Sequence, residues 1–170
     1  MSLLSAVLGI ALAIKGGTLG PIICLLVSGL CDCFDGKVAR AIKRTDDEKA
    51  FGIEIDSLCD LIAFGALPVV LAYCEGVDGV IGVIILMFFQ LAALVRLGYY
   101  NVTEQNRQRE TTGLRTFFNG LPVTSSAVIV PLTHLLKLAF PDAFSVILGA
   151  VMLVTAALFV ANFKVKKFKI

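Results

Sequence analysis

Long apolar stretches, broken by short polar or glycine-bearing turns, constrain this chain more than anything else in it. A helix that crosses a bilayer needs roughly 20 mostly apolar residues. The 170 residues hold six such segments with little left for a water-soluble unit. Hydrophobic residues make up 58% of the chain and charged residues 16%, with no Trp, so too few polar groups remain to cover a water-facing surface. The pattern predicts helices over about 2–14, 19–42, 53–73, 80–100, 117–140 and 143–163. The expected fold is therefore all-α: an integral membrane protein of six transmembrane helices in a single domain, 1–170. Lys15-Gly16-Gly17 ends the first helix, which is short for a span, as if truncated. It lacks the basic lead and the cleavage site of a secretory signal. Pro68 falls inside the third helix, where a kink requires neighbours to satisfy the freed carbonyl.

Loop cations give the orientation. Lys43, Arg44 and Lys49 follow the second helix, and Arg107, Arg109 and Arg115 follow the fourth. Lys164, Lys166, Lys167 and Lys169 form the tail, whereas the opposite side offers Lys15 and Lys137. That asymmetry places the even loops and both termini in the cytoplasm. A juxtamembrane lysine tail suits anionic lipid head groups. The net charge of +2 says little by itself, and nucleic-acid binding has no support. The five cysteines lack paired CxxC spacing and read as reduced packing residues. Cys31 and Cys33 flank Asp32 but do not share a helix face with each other.

Against this apolar background four aspartates stand out: Asp32, Asp35, Asp56 and Asp60. Ionised carboxylates in or beside membrane segments cost several kcal/mol unless compensated, and so mark a functional site. Residues three or four apart share a helix face, so Asp32 and Asp35 meet on the second helix. Gly52, Asp56 and Asp60 form a stripe on the third. Two acidic faces from consecutive helices repel each other, but together they make a cage of hard oxygen ligands for a divalent metal. The topology puts that cage at the cytoplasmic ends of helices two and three.

The stretch Asp32-Cys33-Phe34-Asp35-Gly36-Lys37-Val38-Ala39-Arg40, followed by Gly52-Ile53-Glu54-Ile55-Asp56-Ser57-Leu58-Cys59-Asp60, resembles the signature of the CDP-alcohol phosphotransferases. Those enzymes join an alcohol to a CDP-activated lipid and release CMP. Eleven residues separate Arg40 from Gly52, more than the family usually has. The segments Glu54 to Pro68, Arg96-Leu97-Gly98-Tyr99-Tyr100-Asn101 and Phe117-Phe118-Asn119-Gly120-Leu121-Pro122 are similar to the phosphatidylserine synthase branch. The resemblance implies transfer of the phosphatidyl group of CDP-diacylglycerol to L-serine among membrane lipids. It also implies Mg²⁺ or Mn²⁺, two ions held by Asp32, Asp35, Asp56 and Asp60, and a homodimer. Asp60 would also take the proton from the attacking hydroxyl.

Other residues keep two readings. Gly36, Ala39 and Gly52 let a nucleotide approach the backbone, with Arg40 on phosphate, or they simply let helices pack closely. Arg96, inside helix four, either holds the serine carboxylate or neutralises an aspartate and snorkels. Asn101 either adds a hydrogen bond to serine or is a turn residue, Asn119 reads as a turn residue, and His134 reads as packing. Two further functions compete. A sister synthase would use glycerol 3-phosphate or inositol phosphate and would want more than one cation at the acceptor. A metal or ion transporter would show internal repeats and broken helices, and the sequence has neither.

Overall fold

A computed structural model describes the backbone of residues 1–41, 45–110, 117–161 and 164–166, and the side chains of 1–34, 45, 47–103 and 120–161. Helix α1 (Ser2–Ile14) packs on α2 (Leu19–Ala41). Two serines tie that pair: Ser5 Oγ donates to Cys24 O at 2.9 Å and Ser28 Oγ to Ser2 O at 3.0 Å. A Cβ on Gly9 would lie 2.9 Å from Cys24 Cβ, so only glycine permits this approach. Cys24 is thereby a buried packing residue, and all five cysteines are free.

Helix α3 (Asp46–Asp60) begins seven residues before the expected start at 53. Thr45 caps it through a reciprocal box: Thr45 Oγ1 accepts from Glu48 N–H at 3.3 Å, and Glu48 Oε2 accepts from Thr45 N–H at 2.8 Å. The acidic first turn also suits the helix dipole, which is why a charged stretch expected as loop is helical. A π turn, Leu61–Ala66, joins α3 to α4 (Leu67–Cys74), making one continuous rod. Pro68 falls just after that turn. The carbonyl four residues back, Phe64 O, accepts instead from Ser126 Oγ at 2.9 Å, the neighbour's help that such a proline requires.

Helix α5 (Val80–Glu110) runs ten residues beyond the expected end at Tyr100. Residues 101–110 are polar, but they contain no Gly or Pro to stop a helix. The helix expected from 117 starts later. Phe117–Asn119 is instead a strand, β1, paired antiparallel with β2 (Lys164–Lys166) in the register Phe117 to Lys166, Phe118 to Val165 and Asn119 to Lys164. Among the described residues the regular structure is otherwise helical, and Lys164–Lys166 of the basic tail is strand. Gly120 follows at φ +74, where a Cβ would meet Ala161 O at 2.8 Å. Pro122 then takes an extended conformation. A 3₁₀ turn, Val123–Ser125, leads into α6 (Ser126–Leu135) and a second 3₁₀ turn, Leu136–Leu138. Helix α7 (Phe144–Val160) ends three residues short of 163, because Ala161 turns extended.

The core joins Phe64, Leu67 and Leu71 of the third rod to Phe89 of α5 and to Phe144, Leu148, Met152 and Phe159 of α7. Phe89 and Phe159 pack with ring centroids 5.4 Å apart. Outward, Leu4, Leu8, Ile84, Met87, Leu91 and Val154 are exposed apolar residues of the kind a bilayer covers. Two helices, Asp47–Cys74 and Val80–Thr103, are long and apolar enough to cross a membrane, and four shorter apolar helices accompany them.

Just past the end of α4, Glu75 accepts from Thr18 Oγ1 at 2.7 Å and from Lys137 Nζ. Burial pushes its carboxyl pKa up, but the hydrogen bonds from Lys137 and Thr18 outweigh that and hold it below the ordinary range. His134 is buried beside it: Nδ1 lies 3.0 Å from Val130 O, and the ring stands edge-on to Phe144 at 5.0 Å. That is the packing role expected for it.

Candidate metal centre and substrate cavity

The i, i+4 spacing on α3 puts Asp56 and Asp60 on one face, one turn apart. Asp32 reaches the same place from α2. One carboxylate oxygen from each of the three lies within 4.8 Å of the others. Asp32 and Asp60 are half-buried and Asp56 is exposed. At that separation and an effective dielectric of about 20, each like-charge pair costs roughly 3 kcal/mol, less for the screened Asp56. Such a cluster is stable only with compensation. A carboxylate-only donor set fits a hard divalent ion such as Mg²⁺ or Mn²⁺.

The three aspartates open onto a cavity of about 350 Å³. Arg96 and Tyr100 line it from α5, and Pro122, Val123 and Thr124 wall it from the segment before α6. Arg96 is 6% exposed, so it does not snorkel. Its Nε donates to Leu121 O at 3.0 Å, and Nη2 makes a longer 3.5 Å contact with Gly120 O. The arginine thus lines the cavity while holding the backbone of its wall. Leu121 N–H in turn donates to Leu158 O at 3.2 Å, anchoring that wall to the end of α7.

Asn101 is buried and helical, which removes the turn reading for it. Its Oδ1 accepts from Ser57 Oγ at 2.9 Å, tying α5 to α3 one residue beyond Asp56. Gly52 lies one turn before Asp56 and is half-buried. Asp35, Gly36, Ala39 and Arg40 continue α2 beyond Asp32, with side chains outside the described residues. Tyr100 and Thr124 were not anticipated as cavity residues. Tyr100 could have been found, being one turn from Arg96 on the same helix, whereas nothing in the sequence links Thr124 to Asp60 across 64 positions.

Fold and site together define a helical protein with membrane-type surfaces and a carboxylate cluster suited to divalent metal at a polar cavity. The chain belongs to the CDP-alcohol phosphatidyltransferase family, whose model matches residues 1–161. It is 37% identical over 107 residues to the CDP-diacylglycerol–serine O-phosphatidyltransferase of Saccharomyces cerevisiae, covering 62% of this chain and 38% of that protein. It is 35% identical over 127 residues to the archaetidylserine synthase of Methanothermobacter thermautotrophicus, covering 74% and 51%. Against the CDP-diacylglycerol–serine O-phosphatidyltransferase of Helicobacter pylori strain 26695 it is 34% identical over 157 residues, covering 85% and 60%. The chain therefore spans between about two fifths and three fifths of these relatives' lengths. The resemblance noted in residues 32–60 holds at the level of the family.

Proposed function

We propose that this chain transfers the phosphatidyl group of CDP-diacylglycerol to the hydroxyl of L-serine, giving phosphatidylserine and CMP. The observation that carries this is the convergence of Asp32, Asp56 and Asp60 on a cavity that also receives Arg96, in a chain of this family. Asp32, Asp56 and Asp60, with Asp35 from the adjoining turn of α2, hold divalent metal, either Mg²⁺ or Mn²⁺ and two ions by family likeness. Bound there, metal supplies charge neutralisation for the pyrophosphate and its leaving CMP.

The chain's own groups do the rest. Asp60 accepts the proton of the serine hydroxyl as that oxygen bonds to the phosphatidyl phosphorus, and the bond from that phosphorus to the bridging oxygen breaks, leaving its electron pair on CMP. Arg96 faces the serine carboxylate, with Asn101 supporting that end through Ser57. Arg40 meets nucleotide phosphate, and Gly36, Ala39 and Gly52 give it room. Serine is favoured over phosphorylated acceptors because, among the described lining residues, Arg96 is the one cation, and part of its donor capacity goes to the wall. The relatives' names point to serine as well.

The six helical rods among the described residues serve as six membrane spans with the site and both termini toward the cytoplasm, a placement supported by the loop cations. A homodimer rests on family likeness. CMP release from CDP-diacylglycerol, measured with serine, glycerol 3-phosphate and inositol phosphate in turn, tests the assignment: release with a phosphorylated acceptor and none with serine would overturn it.

A further inference from the structure

Immediately after Asp60 the third rod leaves α geometry. Across Leu61–Ala66 it makes a π turn, with Leu67 N–H reaching back five residues to Ile62 O. A π turn takes in one extra residue, and one residue is about 100° of helix rotation. The turn therefore sets how the Asp56–Asp60 face is aimed relative to the buried face of α4, where Leu67 and Leu71 are fixed in the core. Without it, packing α4 correctly would swing the two carboxylates away from Asp32.

A π turn followed by proline leaves carbonyls short of donors. Ser126, fully buried at the start of α6, lies 62 residues away in sequence and donates from Oγ to Phe64 O at 2.9 Å, in the middle of the turn. The same Oγ lies 2.8 Å from Val123 O. Its one proton is shared between two carbonyls, and these belong to the two structures that must be held in register: the turn that aims Asp60 and the wall that faces it. The far end of that wall is pinned separately by Arg96 Nε on Leu121 O and by Leu121 N–H on Leu158 O. Ser126 is the pin at the near end.

We infer that Ser126 is a positioning residue for the phosphatidyl-transfer reaction: its hydroxyl bridges the π turn after Asp60 to the Val123 wall of the cavity and so fixes the carboxylate against the acceptor. This rests on the role given to Asp60 under the proposed function. An ordinary buried serine would affect only folding. A positioning serine affects the chemical step of a folded enzyme, because a misplacement of about 1 Å can cost about 100-fold in rate.

The test compares wild type with Ser126→Ala in lipid nanodiscs. Its readouts are CMP release with serine, Mn²⁺ binding by electron paramagnetic resonance, and thermal unfolding by circular dichroism. The expected result is a folded variant with kcat lowered roughly 10- to 100-fold, KM for CDP-diacylglycerol within about twofold of wild type, and weaker Mn²⁺ binding. A kcat within about twofold of wild type overturns the inference. So does a loss of kcat and lipid affinity that merely tracks a lowered Tm, which would make Ser126 a packing residue. If the alanine variant does not fold, Ser126→Cys, similar in size with a weaker donor, is read by the same criteria. Absence of serine-dependent CMP release in wild type would instead remove the functional reading itself.

Discussion

Replacing Asp60 by Asn should make the metal-free protein more stable while nearly silencing it. Asp60 is half-buried and has two like-charged neighbours, Asp32 and Asp56, with carboxylate oxygens all within 4.8 Å. Two pairs at roughly 3 kcal/mol each give about 6 kcal/mol before screening at an effective dielectric of about 20. Exposure of Asp56 screens one pair, and solvent reaching the half-buried Asp32 and Asp60 screens part of the other, which leaves about 2 kcal/mol. For a chain of this length that corresponds to a Tm higher by about 4–8 °C. The assay is thermal unfolding in EDTA, followed by circular dichroism because the chain has no Trp. Mg²⁺ or Mn²⁺ should then raise the Tm of wild type much more than that of Asp60→Asn, since the substitution removes a ligand charge. Turnover of the variant should fall by about 100-fold or more, the usual share of a general base. A metal-free variant no more stable than wild type would refute charge crowding among Asp32, Asp56 and Asp60.

Arg96→Lys keeps the charge but loses the planar fork, so the KM for serine should rise about tenfold or more with much less change for CDP-diacylglycerol. An equal rise for both substrates would assign the arginine to phosphate or to the wall it also holds. Glu75→Gln should cost about 1–2 kcal/mol at pH 7 for the lost charged hydrogen bonds to Lys137 and Thr18, a Tm lower by about 2–8 °C. Because the folded pKa of Glu75 lies below its ordinary 4.5, this stabilisation is full above that value and fades as pH falls through the lowered one. The Tm gap between wild type and variant should therefore close in acid, and a gap that persists there would contradict the assignment.

What the sequence disclosed and what it hid follow from the range of the forces involved. The first helix, Ser2–Ile14, could be read to the residue because Lys15-Gly16-Gly17 stops it locally. The shared face of Asp56 and Asp60 was legible because i, i+4 spacing fixes a helix face whatever surrounds it, and their meeting with Asp32 because acidic faces on consecutive helices call for a common cation. The early start of α3 was also written locally, as Thr45-Asp46-Asp47-Glu48, but hydropathy outweighed the capping signal. Polarity was likewise mistaken for a helix end after Tyr100. Other features lay beyond local reading. The strand at Phe117–Asn119 exists through a partner 47 residues away, and the donor to Phe64 O is a serine 62 residues distant. Arg96 left two readings open in sequence, and its placement gives it a share in both wall and cavity.

The most direct measurement is metal-dependent CMP formation by the purified chain in vesicles containing CDP-diacylglycerol. With L-serine present, CMP and phosphatidylserine should appear in equal amounts, cease in EDTA, and return with Mg²⁺ or Mn²⁺ better than with Zn²⁺, as hard carboxylate ligands require. CMP formation that is indifferent to serine, or that continues at full rate in EDTA, would contradict a metal-assisted transfer to serine at Asp32, Asp56 and Asp60.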